Sequence, residues 1–300
     1  MSKSQRSLPR GLTELFGEWR PEEEGELPQL EAVFSAGHSN RSFLVRHGGR
    51  RYVARLPDKR AARLGVDRQV ERRVLERTAR IGLGPEVVYC NPSRGTLVSV
   101  YIEALPLRVE GLGAGETIDR LATALQLLHQ QKLDVPQVNI VDRIRAYARE
   151  LQDSDARGWL RARRWLSAAR PVLEQYRFAA NRSVLCHNDL TCQNVLEADG
   201  ELRFIDWEYA ARGDPFFDLA TLCEDCGFSE LDRERLLLAY GMIGDAAIER
   251  LFRTRVLYRL LGLLWYLRRY RGATPRSQPE LGRHESALMS LLAQDAGSGG

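Results

Sequence analysis

The feature that most constrains this chain is a change in hydrophobic period about a third of the way along it. Up to residue 103 the apolar residues come in short β-branched or aromatic runs. LEAVF (30–34), RSFLV (41–45) and RYVARL (51–56) are separated by glycine-bearing turns, the pattern of antiparallel strands. Asp67 stands as an N-cap before a helix to about Arg80, with Val70, Val74 and Leu75 at helical spacing, and GLGP (82–85) stops it. EVVYC (86–90) and TLVSVYI (96–102) then form a hairpin. After Glu103 the period lengthens: 117–131, 141–178, 231–241 and 245–271 read as helices, the first with Ile118, Leu121, Leu125 and Leu128 on one face. One β island interrupts them at 184–189, 194–196 and 202–207, with the turn Ala198-Asp199-Gly200 joining the last two. The pattern predicts an α+β, bilobal chain. A small antiparallel β-rich N-lobe with one helix occupies 1–103, and a larger, mostly helical C-lobe with a β-hairpin occupies 104–300.

The charge balance narrows the function. The chain has 44 Lys+Arg against 40 Asp+Glu, a net +4 over 300 residues. That is too even for a dedicated nucleic-acid or membrane-surface binder. All the basic residues but Lys3, Lys59 and Lys132 are arginine, so lysine chemistry has few candidates. The N-terminal segment is polar, without the apolar run of a signal peptide. The longest apolar stretch, 260–267, falls far short of the ~20 residues of a bilayer span. Cys90, Cys186, Cys192, Cys223 and Cys226 therefore read as ordinary free thiols of a reducing cytoplasm. Cys223-x-x-Cys226 lacks the second short-spaced pair that a zinc knuckle uses. The expectation is a cytoplasmic protein with a small-molecule partner, no nucleic acid and no membrane insertion, its oligomeric state open.

The chemistry is densest in His187-Asn188-Asp189-Leu190-Thr191-Cys192-Gln193-Asn194 and in Asp206-Trp207-Glu208. The first lies on a loop after a strand, the second at the end of the next hairpin. A hairpin brings its ends together, so Asp189, Asn194 and Asp206 are expected to converge. Two carboxylates and an amide oxygen form a hard, oxygen-only set suited to Mg²⁺. Phosphoryl transfer uses this equipment: metal to neutralise phosphate charge, and a carboxylate to take the proton of the attacking alcohol. Either fragment alone would be an ordinary polar turn; the two in order carry the reading.

His-x-Asp-x4-Asn followed by Ile205-Asp206-Trp207-Glu208 resembles the catalytic core of the aminoglycoside phosphotransferase and choline kinase superfamily, relatives of the protein kinases. Residues 186–190 and 205–220 are most similar to choline/ethanolamine kinases and bacterial thiamine kinases, and the likeness runs over nearly the whole chain. It implies a protein-kinase-like fold with ATP and Mg²⁺ as cofactors. Asp189 would be the catalytic base, Asn194 and Asp206 the Mg²⁺ ligands, and Glu208 an accessory acid at a second metal. His187 would be a structural histidine of the loop. Asp218 would brace that loop by accepting backbone hydrogen bonds.

In the N-lobe the resemblance makes Gly37-His38-Ser39-Asn40 the nucleotide-phosphate loop. Gly37 lets the backbone approach phosphate, and Ser39 and Asn40 donate hydrogen bonds. Arg55 stands where protein kinases carry a lysine, and arginine keeps the charge and can fork across two phosphate oxygens. Its orienting acid would be Glu71, with Glu76 as the alternative. Val100 and Ile102 would offer main-chain groups to adenine.

A cationic acceptor calls for aromatic faces and acids. Glu224, Asp225 and Trp265 are the candidates, with Tyr266 and Tyr270 nearby, although aromatics on a long helix suit a core equally well. The resulting expectation is an ATP- and Mg²⁺-dependent kinase acting on the primary hydroxyl of choline or ethanolamine. Thiamine presents the same chemistry. An aminoglycoside would need a broad acidic groove, which the Arg-rich segment 156–171 does not favour. A non-catalytic, kinase-like nucleotide-binding module is the alternative of another class, but such modules usually lose a base or a metal ligand, and Asp189, Asn194 and Asp206 are all present.

Overall fold

The structure, a computed structural model, describes residues 8–9, 11–20, 27–34, 40–58, 65–109, 114–178, 180–272, 274 and 277–297. By internal contacts the chain divides into two compact units, Met1–Pro106 with Val195–Tyr209 and Leu107–Asn194 with Ala210–Gly300.

The first unit is built on an antiparallel sheet of β1 (Gln29–Phe34), β2 (Asn40–His47), β3 (Arg50–Pro57), β4 (Val87–Asn91) and β5 (Thr96–Val100), ordered β1-β2-β3-β5-β4. The strands fall where the alternating runs predict them. Helix α1 (Leu12–Trp19) was not expected. It buries Leu12, Leu15 and Phe16 against Phe43, Val45, Tyr52, Ala54, Leu56 and Val98 of the sheet. It begins after Gly11, at φ 96° and with no capping side chain, so it lacks the usual start signal. Helix α2 (Arg68–Arg80) has one: Asp67 accepts the N–H groups of Gln69 and Val70, at 2.9 and 3.1 Å.

A second sheet in this unit joins β6 (Leu105–Pro106), β8 (Val195–Ala198) and β9 (Glu201–Phe204). Asp199 and Gly200, at φ 52° and 78°, turn the β8–β9 hairpin in the doubly positive geometry that an Asp-Gly pair favours. A sequence boundary at 103/104 counts this hairpin with the second lobe. The contact division counts it with the first, because Leu105 pairs with Glu197 and the Phe204 N–H donates to the Leu83 carbonyl at 2.6 Å.

The second unit carries α3 (Ala114–His129), α4 (Ile140–Ser154), α5 (Ala156–Ala168), α6 (Arg170–Gln175), α7 (Pro215–Asp225), α8 (Glu230–Tyr240), α9 (Asp245–Arg269) and α10 (Pro279–Gly297). The antiparallel pair β7 (Val184–Cys186) and β10 (Ala211–Gly213) lies among them. Its core is centred on α9, where Val256, Leu257, Leu260, Leu263 and Leu264 are fully buried. Each contributes about 1.5–3 kcal/mol by leaving water. The helical run 141–178 is interrupted at Asp155, which caps α5 by accepting the Gly158 N–H. No described helix is long and apolar enough to cross a membrane.

Candidate active site

In the second unit, β7 feeds the loop 187–194, and one buried carboxylate organises its start. Asp218 of α7 has no exposed surface. Its Oδ2 accepts the His187 N–H and its Oδ1 the Asn188 N–H, both at 2.8 Å. Oδ2 also lies 3.1 Å from His129 Nε2, and His129 Nδ1 is 2.6 Å from the Tyr240 hydroxyl. A buried acid needs such partners, and here they fix the loop's first two peptides. His187 is itself fully buried. Asn188 sits in left-handed backbone, φ 61°, a conformation that non-glycine residues adopt at a cost and that clusters at functional sites. The chain then presents Asp189, half-buried. The Asp189 carbonyl accepts the Thr191 N–H at 2.9 Å and Asn194 Nδ2 at 2.8 Å, so the Asn194 amide is oriented with Oδ1 as its remaining ligand atom.

The end of the loop is tied down by Cys192. Its N–H donates to Asp225 Oδ2 at 2.8 Å, and its sulfur forms a disulfide with Cys226. This corrects the reading of five free thiols. The two cysteines are 34 residues apart, and nothing local announces their pairing. They meet because α7 rises about 10 Å from Asp218 to Asp225, the span between the loop's two anchors. Burial pushes the Cys186 thiol well up and that of Cys223 up to about 12, so both stay protonated.

In the first unit, Arg55 of β3 and Glu71 of α2 form the expected pair. Arg55 Nη1 and Nη2 donate to the two Glu71 oxygens at 2.6 and 2.8 Å, with side-chain exposures of 10% and 3%. Glu76 pairs with Arg72 at the surface instead. Burial alone would raise the Glu71 carboxyl, but Arg55 and then Arg68 hold it below its usual range. Arg68, which the sequence reading did not single out, links the rest. Its Nη1 donates to Glu71 at 2.7 Å and to Glu208 at 3.3 Å, and its Nη2 to Asn40 Oδ1 at 2.8 Å. Asn40 Nδ2 in turn donates to Glu208 Oε2 at 2.8 Å. Asn40 and Glu208, expected at a phosphate and at a second metal, thus have these atoms engaged in a buried network. Gly37 and Ser39 lie outside the described residues.

Asp206 also occupies left-handed backbone, φ 64°. Burial and then the neighbouring Glu208 raise its carboxyl above the usual range, against the pull of Arg55 Nη1 at 3.9 Å. Even so, 38% of its side-chain surface is open. The turn is anchored by Trp207, fully buried, whose Nε1 donates to the Phe204 carbonyl at 3.0 Å. At the hinge, the Val100 N–H is taken by the Glu86 carbonyl at 2.8 Å and that of Tyr101 by the Arg51 carbonyl at 3.0 Å, and the Ile102 carbonyl accepts the Ala104 N–H at 3.0 Å.

The expected acceptor acids have other partners. Glu224 is enclosed by Arg255 Nε and Arg259 Nε, each at 2.5 Å, with its side chain 6% exposed, so it is neutralised in place. Asp225 is exposed and holds the Cys192 N–H. Trp265 is half-buried, packed edge-on to Tyr266 at 5.0 Å and against the α9 core. The charge of Asp189 is felt at two tyrosines. Burial, then Asp225 and Asp189, raise Tyr258; burial, then Glu280, Tyr270 and Asp189, raise Tyr266. Tyr258 was not anticipated, because its place near the loop depends on how α9 lies in the unit.

A model described as the phosphotransferase enzyme family matches residues 31–252. The chain belongs to the phosphotransferase enzyme family. Protein LicA of Haemophilus influenzae is 28% identical over 230 residues, covering 74% of this chain and 67% of that protein. A thiamine kinase of Escherichia coli O17:K52:H18 is 31% identical over 201 residues, covering 65% of this chain and 67% of that enzyme. The crystal structure of choline kinase LicA from Streptococcus pneumoniae shares the fold, with a TM-score of 0.69 at 22% identity over 87% of this chain and 94% of that one. In this phosphotransferase, one unit holds a carboxylate on a pinned loop, and the other holds a forked guanidinium clamped by an acid.

Proposed function

We propose that this phosphotransferase moves the γ-phosphoryl group of ATP, with Mg²⁺, to the primary hydroxyl of a small cationic alcohol. Choline or ethanolamine is the first choice of acceptor and thiamine the second. The observation that carries the reading is the loop around Asp189, with its first peptides pinned by Asp218 and two tyrosines within reach of its charge. A carboxylate so placed takes the hydroxyl proton as the alcohol attacks. Trp265, half-buried, and Tyr258 would supply aromatic faces for a cation; Tyr266 is buried in the core, and Arg259 already lies 5.3 Å from the Tyr258 ring. The names of the related proteins, choline kinase and thiamine kinase, support this acceptor class.

Asn194 and Asp206 would hold Mg²⁺, which supplies charge neutralisation on the phosphates when bound. Three observations fit. The antiparallel register pairs Val195 with Phe204, and Asn194 directly precedes the first of these while Asp206 follows the second by two residues. The Asn194 amide is oriented with its nitrogen engaged. Asp206, crowded by Glu208, is a carboxylate that a cation would relieve. Arg55, held by Glu71, would fork across phosphate oxygens, and the Ile102 main chain would meet adenine. Glu208 and Asn40 would act through Arg68 to hold Glu71 and the strand end in place. ATP as donor fits a cytoplasmic setting.

The test is to incubate the protein with ATP and Mg²⁺ in separate samples of choline, ethanolamine, thiamine and kanamycin, following ADP and phosphorylated product. Mg²⁺-dependent ADP release with one of the first three is expected. Release with kanamycin alone would overturn the acceptor class, and no release with any would favour a binding module.

A further inference from the structure

Helix α7 holds the loop of Asp189 at both ends. Asp218 grips the first two peptides. Two turns later, Cys226, the residue that caps the helix, is bonded to Cys192, and Asp225 accepts the Cys192 N–H. Cys192 lies three residues after Asp189 and two before Asn194. We infer that the Cys192–Cys226 disulfide is a positioning bond for Asp189 and Asn194, and a site where reversible reduction lowers turnover. This rests on the reading of Asp189 as the base.

The bonds that Asp189 makes with Thr191 and Asn194 are internal to the loop and move with it. They keep its shape but not its place. Asp218 places the loop's start and the fully buried Leu190 its middle; at Cys192 its distal end is held by the disulfide and by the hydrogen bond to Asp225, an exposed residue whose bond competes with water. Asp189 must meet a hydroxyl within hydrogen-bond reach, and a misplacement of about 1 Å costs up to ~10²-fold. Cys192 and Cys226 are each half-buried, within reach of a small reductant, whereas Cys186 and Cys223 are enclosed. The exchange balances with an external dithiol. Its thiolate attacks one sulfur, the S–S bond breaks, and the departing cysteine sulfur takes a proton. The second thiol of the reductant then displaces the mixed disulfide, leaving two protein thiols and an oxidised reductant.

The experiment has two independent arms. In the first, thiols are counted in the denatured protein with and without prior dithiothreitol, and hydrogen exchange is followed over 187–194. Three thiols before reduction, matching the free Cys90, Cys186 and Cys223, and five after are expected, with faster exchange in the loop once reduced. Five thiols in both samples, or unchanged exchange, would overturn the inference without reference to activity. In the second arm, kinetics with the accepted alcohol should show kcat falling about tenfold on reduction and recovering on reoxidation, with KM for ATP constant. Cys226→Ser should sit at the reduced value and ignore dithiothreitol. Equal kcat in both states, or a parallel rise in KM for ATP, would overturn positioning. Turnover with no alcohol in either state would sink the proposed function, while the first arm would still decide whether the bond holds the loop.

Discussion

Glu71 has two guanidinium partners and almost no contact with solvent. Removing it leaves the buried Arg55 with only the more distant Asp206, at 3.9 Å, as an ion-pair partner, and breaking a buried pair costs about 3–5 kcal/mol. Glu71→Ala is therefore expected to lower the denaturation midpoint strongly, whereas Glu76→Ala, at the surface, should leave it unchanged. Chemical denaturation of both variants checks this; equal effects would mean that Arg55 finds another acid. The pair was legible through the resemblance, which puts Arg55 at the place of the kinase lysine and its orienting acid early on the next helix; spacing alone left Glu76 open. Glu224 was not legible in the same way. Its two arginines lie 31 and 35 residues away on α9, and an acid's partner across helices leaves no mark in its own neighbourhood.

Helix α9 was readable as a helix; its neighbour α10 was not singled out, although Leu281, Leu288 and Leu291 recur at helical spacing and are buried. What joins them is a notch. Tyr258, Gly262 and Tyr266 follow at i, i+4 and i+8 on α9, and the His284 ring of α10 lies 5.7 Å from each tyrosine ring. A Cβ on Gly262 would fall 2.4 Å from His284 Cε1 and 2.6 Å from Nδ1. Gly262→Ala would gain about 1 kcal/mol of helix propensity. It would also force α10 outward at a cost of about 1–3 kcal/mol, because the ring is flanked and cannot swing aside. A lower melting temperature is expected, and a more stable variant would show that α10 yields freely. Burial, then Arg259 and Arg283, hold the His284 imidazole down to about 3, far below the ordinary range of histidine. In the unfolded chain it protonates near 6.5. Its contribution is therefore whole above that pH and drains away as pH falls toward 3. His284→Gln, which removes this titration beside Tyr258, Tyr266, Arg259 and Arg283, should flatten the stability–pH slope in that window; an unchanged slope would place the titration elsewhere.

The change of hydrophobic period foretold a sheet-rich part and a helical part. It did not foretell that the hairpin after Asn194 would pack with the former, since the pairing of Leu105 with Glu197 joins segments some ninety residues apart. The segments around Asp189 and Asp206 were singled out for a different reason: phosphoryl transfer calls for particular residue types at a set spacing, whereas pairing partners such as Cys192 and Cys226 are fixed only by the path of the chain. The division of labour proposed for these segments predicts separable effects on binding and on turnover. A ligand that binds only the folded protein stabilises it by about 2.7 kcal/mol at a hundredfold excess over its Kd. Mg²⁺ with ATP should therefore raise the melting temperature, and chelating the metal should remove most of the rise. Asp206→Ala, and less completely Asn194→Ala, should lose that metal-dependent part. Asp189→Asn should keep it while kcat falls by about 10²–10⁴, because the base acts on the alcohol and not on the nucleotide. Thermal shifts and kinetics on the same preparations distinguish the roles. A variant at Asp189 that loses the shift, beside one at Asp206 that keeps it, would exchange the two assignments.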